Sequence, residues 1–259
     1  MRHVLITAGT KGIGQRVALE FLKEGYSVTV NYRSDGKAAK VRAAEWAQYS
    51  DRLQFIKGDV SRQEDMTFLV EETMKRFQRI DCLIHNAGPF VFERKPLTDY
   101  EDNEWMTLLH GNLSAVFWLA KQVLPIMRAQ HFGRIITYGF QNAEAAPGWL
   151  HRGPFAAAKV GLVSLTRTIA LEEAEYGITA NMICPGIILN DMKAADVSEA
   201  EKLSEPRTPL GRSVTGEDIA RAITFLCKKE SEMITGTALD LTGAVDVIHR
   251  FRENYEENE

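Results

Sequence analysis

Short apolar runs alternate with stretches of helical spacing along nearly the whole chain. "HVLITA" reads as a strand. Beyond a glycine-rich turn, "GQRVALEFLKEG" carries Val17, Phe21 and Leu22 at helical spacing and stops at Gly25, a C-cap glycine. "SVTVNY" is a second strand, and "DRLQFIKGDV" holds a third after a helix rich in Ala, Glu and Lys. "EDMTFLVEETMKRF" is an amphipathic helix, "IDCLIHNAG" a fourth strand, and one long helix covers much of Glu104 to Arg128. "GRIITYG", "ITANMICPG" and "GTALDLTG" bring the strands to seven. Between them lie the helices "AAAKVGLVSLTRTIALEEAEYG", ending at Gly177, and "GEDIARAITFLCKK".

Strands that alternate with helices predict an α/β fold with a parallel sheet and helices on both faces. Near-continuous apolar strands fit a sheet buried on both sides. Right-handed crossovers then give a doubly wound, Rossmann-type sheet of seven strands. No internal repeat or linker divides the chain, so residues 1–250 read as one domain. Leu189 to Pro209 is polar and Ala-rich, and long enough to be a substrate lid. Residues 251–259, "FRENYEENE", form a charged tail expected to fray.

The composition narrows the function classes. A chain of 259 residues, 45% of them hydrophobic, buries a sizeable core without disulfides or metals. Its formal net charge of −4 shows no footprint for nucleic acid or an anionic membrane. Cys82, Cys184 and Cys227 lie far apart, with no C-x-x-C pair, and read as buried reduced thiols in a cytoplasmic protein. No apolar run approaches the roughly 18–20 residues of a membrane span, and the N-terminus lacks a signal-peptide pattern.

"TAGTKGIG" lies between the first strand and its helix. Glycines there let the backbone approach a pyrophosphate, and the helix N-terminus offers free N–H groups and partial positive charge. Its neighbours carry the family likeness. The chain resembles the short-chain dehydrogenase/reductase family over nearly its full length, above all the 3-oxoacyl-acyl-carrier-protein reductases. The family loop T-G-x-x-x-G-x-G matches Thr7, Gly12 and Gly14, with Ala8 where the first glycine is expected; adjacent Gly9 is expected to keep the turn flexible. By resemblance Thr7, Gly9, Lys11, Gly12, Ile13 and Gly14 hold the cofactor. So do Asp59 and Val60 of "GDVS", Asn86, Ala87 and Gly88 of "HNAG", and Pro185, Gly186 and Ile188 after the sixth strand. His85 replaces the family's first Asn in N-N-A-G, and Asn190 replaces the usual Thr.

The second strand ends "VNYRS" without the acid that NAD-preferring relatives place near Asn31 to hold a ribose hydroxyl. Lys11 and Arg33 suit a 2′-phosphate by charge and by the planar guanidinium fork. The cofactor expected is therefore NADP(H) rather than NAD(H), and no metal is expected.

Family chemistry uses a serine, a tyrosine, a lysine four residues later and an asparagine. Together they supply general acid catalysis and stabilise a developing alkoxide. Asn112 matches the asparagine, and Lys159 matches the lysine, which also holds the cofactor ribose. The serine position is Phe140 and the tyrosine position is Phe155, so both hydroxyls are missing. Tyr138, two residues from Phe140 and expected on the same strand face, is one candidate surrogate. His151 is another, and Gln141 and Asn142 are candidate donors to a carbonyl oxygen. The tyrosine spacing of enoyl reductases falls on Arg152, which supplies no phenol.

Two readings follow. One is an NADP(H)-dependent oxidoreductase with a non-standard active site and an unknown small substrate. The other is an inactive family member, acting as a NADP(H) sensor or as the partner subunit of an active homologue. The resemblance implies a homotetramer or homodimer built on the helices near Glu104–Arg128 and Ala156–Glu175.

Overall fold

A computed structural model describes residues 1–203 and 208–248, the side chain of Asn190 excepted. Among them, seven strands form one parallel sheet: β1 (His3–Ile6), β2 (Ser27–Tyr32), β3 (Leu53–Lys57), β4 (Cys82–His85), β5 (Gly133–Tyr138), β6 (Ile178–Pro185) and β7 (Ala238–Leu241). Their order is β3-β2-β1-β4-β5-β6-β7. The expected α/β sheet is thus present. Val4 pairs with Val28 on one side and with Cys82 on the other. The chain therefore winds outward in both directions from β1 and β4, which opens a crevice at their carboxyl ends.

Eight α-helices flank the described sheet: α1 (Gly12–Lys23), α2 (Gly36–Glu45), α3 (Gln63–Phe77), α4 (Asp102–Leu109), α5 (Ala115–Gln130), α6 (Gly153–Glu172), α7 (Val197–Ala200) and α8 (Gly216–Leu226). Alternation along β1 shows why both faces are covered. Val4 and Ile6 pack with Val17 and Phe21 of α1 and Ile219 and Ile223 of α8. Leu5 points the other way, into a core with Leu69 of α3, Leu119 of α5 and Ile169 of α6.

Three expectations need correction. The single helix over Glu104 to Arg128 is α4 and α5 joined by a π-helical turn, His110–Ser114. Such a turn inserts a residue into the hydrogen-bond ladder and often marks a functional site. α6 starts at Gly153, with Pro154 in its first turn, and ends at Glu172; a short 3₁₀ turn follows, and Gly177 takes a left-handed φ of +72°. α6 is also, against expectation, long and apolar enough to cross a bilayer, but 56% of its most apolar window is buried, as in a core helix. The segment 189–209, expected to be a lid, holds a 3₁₀ turn, Asn190–Lys193, and α7; residues 204–207 within it, and the 251–259 tail, lie outside the described residues.

Candidate functional site

The glycine loop closes the carboxyl end of β1. Its left-handed turn falls on Ala8 itself, at φ +52°, where a side chain costs about 1–2 kcal/mol relative to glycine. Gly9 does not supply the flexibility expected of it; it is buried, and a Cβ there would stand 3.0 Å from Val30. Gly14 is required by crowding, because its Cβ would lie 2.5 Å from the Asn86 side-chain nitrogen. α1 has no side-chain cap and no acid in its first turn. Its first N–H groups are left for an anion, which fits a pyrophosphate.

Thr7 and Asn86 hydrogen-bond within the loop and shape it. The Thr7 hydroxyl accepts from the Ala87 N–H at 2.9 Å, and the Asn86 amide donates to Thr7 O and Ala8 O at 3.2 and 3.1 Å. Neither residue lines the neighbouring cavity of about 410 Å³. Ala8, Lys11, Arg33, Asp59, Val60, Ala87 and Gly88 do line it. Arg33 is exposed there, whereas Lys11 is ion-paired with Asp35, an acid that reading the strand end alone overlooked. One Asp59 carboxylate oxygen is taken by the Ser61 N–H and hydroxyl. Thr10, Ser34 and Ser61 add polar lining from within the quoted motifs, and Thr107 adds more from α4, which no motif signalled.

A second cavity, of about 470 Å³, is lined by Ile13, Pro185, Gly186 and Ile188 of the expected cofactor set together with Phe140 and Phe155. The two phenylalanines are buried, 3% and 6% exposed, with ring centroids 6.4 Å apart. Trp149 packs on both, at 4.9 and 5.9 Å. Phe90 stands 5.1 Å from Phe155 and 5.3 Å from Phe92. Phe90, Phe92 and Trp149 come from loops far apart in sequence, and no spacing signal links them.

Lys159 lies behind this wall, its Nζ 5.7 Å from the Phe155 ring centre. Burial lowers its pKa to about 8. His85 is buried with both ring nitrogens unpartnered, and burial, then the Lys159 charge, lowers its pKa to about 3. Asn112 sits in the π-helical turn and donates to Pro89 O and Leu108 O at 2.9 and 3.0 Å. Its buried Oδ1 has no partner, and a Cβ on Gly88 would stand 2.5 Å from it.

Among the described residues, none of Tyr138, Gln141, Asn142 and His151 lines the cavity. Tyr138 is the last residue of β5 and packs in the α1–α8 core with Ile136 and Ile183, while Phe140 joins the opposite core with Met182. The strand ends before its alternation reaches Phe140, which overturns the same-face expectation. Burial raises the Tyr138 pKa, and its hydroxyl has no partner. The carbonyl of His151 accepts from the Tyr100 hydroxyl at 2.9 Å; its neighbours Trp149 and Arg152 line the cavity and it does not. Gln141 Oε1 accepts from Val247 N–H, and Asn142 N–H donates to Asp240. Asn190's side chain lies outside the described residues.

Known proteins share this architecture. The family model described as enoyl-(acyl carrier protein) reductase matches residues 7–243. YtkK of Bacillus subtilis (strain 168), a provisionally assigned oxidoreductase, is 59% identical over 96% of this chain and 98% of its own. The 3-oxoacyl-acyl-carrier-protein reductase FabG of Haemophilus influenzae is 32% identical over 93% of this chain and 96% of its own. A provisionally assigned 3-oxoacyl reductase structure from Bacillus thuringiensis superposes with TM-score 0.92 at 58% identity, covering 96% of this chain and 100% of that one. A variant of the actinorhodin polyketide ketoreductase solved with NADPH gives TM-score 0.80 at 27% identity, covering 93% and 96%. By these matches across its length, the chain belongs to the short-chain dehydrogenase/reductase family of oxidoreductases.

Proposed function

We propose that the protein binds NADP(H) and reduces a small substrate at an active site from which the usual serine and tyrosine hydroxyls are gone. The observation that carries this reading is the pairing of two cavities that meet at the Gly88–Phe90 segment. One bears Lys11 and Arg33 beside an uncapped helix N-terminus, and the other bears the aromatic wall with Lys159 behind it. Arg33 lines the first cavity with no ion pair among the described residues, which supports a 2′-phosphate contact; Lys11 shares its charge with Asp35. When bound, the reduced nicotinamide supplies a hydride. The chain's own residues hold the dinucleotide, exclude water with aromatic rings and keep Lys159 buried for the ribose.

The test has two parts. NADPH fluorescence titration reads binding, and NADPH oxidation over ketones, imines, enones and quinones reads turnover. Binding with turnover on one class supports the reading. Binding without turnover on any favours the second reading, a sensor or partner subunit, which rests on the burial of both rings at the hydroxyl positions.

We further propose self-association through α4–α5 and α6. Trp105, Met106, Phe117 and Leu171 are large apolar residues exposed on these helices. Light scattering on the purified chain tests this, with a monomer as the contrary result. The three cysteines are buried and unpaired, which supports a reducing compartment.

A further inference from the structure

We infer that Lys193 is a further cofactor-binding residue, which sets its ammonium on the pyrophosphate of the dinucleotide, and that Arg16 positions it. This rests on the NADP(H) reading above and adds a contact to that same site.

Place in the fold carries the argument. The glycine loop runs between the two cavities: Lys11 lines the first and Ile13 the second. Gly12 is the residue between them. A dinucleotide lying in both cavities would carry its pyrophosphate across this point, where the backbone N–H groups at the start of α1 have no side-chain cap. Lys193 stands there. A Cβ on Gly12 would be 3.5 Å from Lys193 Cβ and 3.9 Å from its Cδ, and Lys193 lines the second cavity together with Ile13 and Gly186.

The charge on Lys193 is uncommitted. The residue is exposed, and its ammonium makes no ion pair among the described residues, whereas Lys11 meets Asp35. A cation beside the positive end of a helix is repelled by it, and no acid in the first turn of α1 relieves the repulsion. An anion lying between the ammonium and the helix is attracted by both. Pyrophosphate is such an anion. It is common to NADPH and NADH, so this contact strengthens the binding of both and does not discriminate between them.

A long side chain contributes little when the chain that carries it must first be ordered. Here the main chain around Lys193 is already fixed. Its carbonyl packs so closely on Gly216, the first residue of α8, that a Cβ there would overlap it. Just beyond, the Glu217 N–H donates to Ala195 O at 3.3 Å, and the Val197 N–H donates to the Glu217 carboxylate at 2.7 Å. Arg16 of α1, only 5% exposed, completes the arrangement. Its guanidinium pairs with Asp196 and lies 3.5 Å from the Glu217 carboxylate. The helix that offers N–H groups to the phosphates thus also holds the lysine that faces them.

The experiment uses the full chain, with NADPH, NADH and adenosine 2′-monophosphate titrated by calorimetry at low salt. Lys193→Gln should weaken NADPH and NADH alike, by about tenfold. Binding of adenosine 2′-monophosphate, which lacks the pyrophosphate, should be unchanged. Lys193→Arg should keep most of the dinucleotide affinity. Asp196→Asn retains a helix cap and removes the pair with Arg16. It should weaken NADPH by about threefold in the native background and not further in Lys193→Gln; an equal loss in both backgrounds overturns the positioning by Arg16. The urea midpoint of Lys193→Gln without nucleotide should not fall, and a fall would assign Lys193 to the fold instead. NADPH bound equally well by the native chain and by Lys193→Gln overturns the inference and leaves the cofactor reading intact. A loss for NADPH but not for NADH places Lys193 at the 2′-phosphate and overturns it too. If the native chain binds neither dinucleotide, the cofactor reading fails, and the inference fails with it.

Discussion

The Lys159 ammonium and the Phe155 ring are 5.7 Å apart, ammonium nitrogen to ring centre, in a cation–π contact. In the family's arrangement, the lysine at this spacing tunes a tyrosine hydroxyl. Here its neighbour has no proton to give, so the lysine and the cavity are separated by hydrocarbon. Restoring the oxygen tests whether anything else has changed. Phe155→Tyr with Phe140→Ser should raise ketone reduction by about 10²-fold or more, measured as NADPH oxidation with simple ketones. An unchanged rate with NADPH still bound would show that the site has diverged beyond two side chains.

Burial of Lys159 also sets a pH dependence. Its folded pKa of about 8 lies below the ordinary lysine value of 10.5. Below pH 8 the lysine is charged in both states, and the folded protein bears the full desolvation cost. Between pH 8 and 10.5 only the unfolded chain keeps the proton, so this contribution to stability rises with pH. Lys159→Met should therefore stabilise the protein at pH 7 by about 3 kcal/mol, with the difference vanishing near pH 10.5. Urea unfolding of both proteins across that range gives the comparison.

At the acid end, His85 has a folded pKa of about 3 and an ordinary value of 6.5. As pH falls from 6.5 to 3, the unfolded chain takes up a proton that the folded site refuses, and stability is lost. At pH 5 this amounts to about 2 kcal/mol. His85→Asn should reduce the stability lost between pH 7.5 and 5 by about that amount, read from urea midpoints at the two pH values. His3, also near 3, adds a loss of the same sign in both proteins.

Arg33→Ala tests the cofactor choice. If the guanidinium holds a 2′-phosphate, NADPH affinity should fall about tenfold and NADH affinity should stay level. Equal losses for both dinucleotides would assign Arg33 to shaping the cavity.

Ala8 occupies a left-handed backbone at φ +52°. Ala8→Gly relieves about 1 kcal/mol of strain, partly offset by a more flexible unfolded chain. A rise in Tm of about 2 °C by calorimetry is expected, and a fall would place the strain elsewhere in the loop.

The strands and the glycine loop were legible because each is a local pattern. Period, turn residues and the spacing between Phe155 and Lys159 all survive in one dimension. What was not legible depends on where loops land. Phe90, Phe92 and Trp149 reach the cavity only after β4 and β5 have been laid side by side. Tyr138 was misplaced because alternation was extended one step past the end of β5. The π-helical turn that holds Asn112 keeps the backbone helical across His110–Ser114, so the stretch read as one uninterrupted helix. Asp35 lies four residues beyond Asn31, outside the strand end where an acid was sought, yet it meets Lys11 across the mouth of the nucleotide cavity.

The contacts among Phe140, Trp149 and Phe155 bear on how such a site can change over generations. Every phenylalanine codon is one base from a serine codon and one base from a tyrosine codon. The hydroxylated site is thus two point mutations away, in either direction. The steps are not independent, because Trp149 rests on both rings. Removing Phe140 first strips one face of the indole before the phenol at 155 can offset the loss, whereas Phe155→Tyr keeps the ring and its packing. The order in which the two mutations occur, more than their number, therefore governs whether a lineage can cross between the two chemistries while remaining folded.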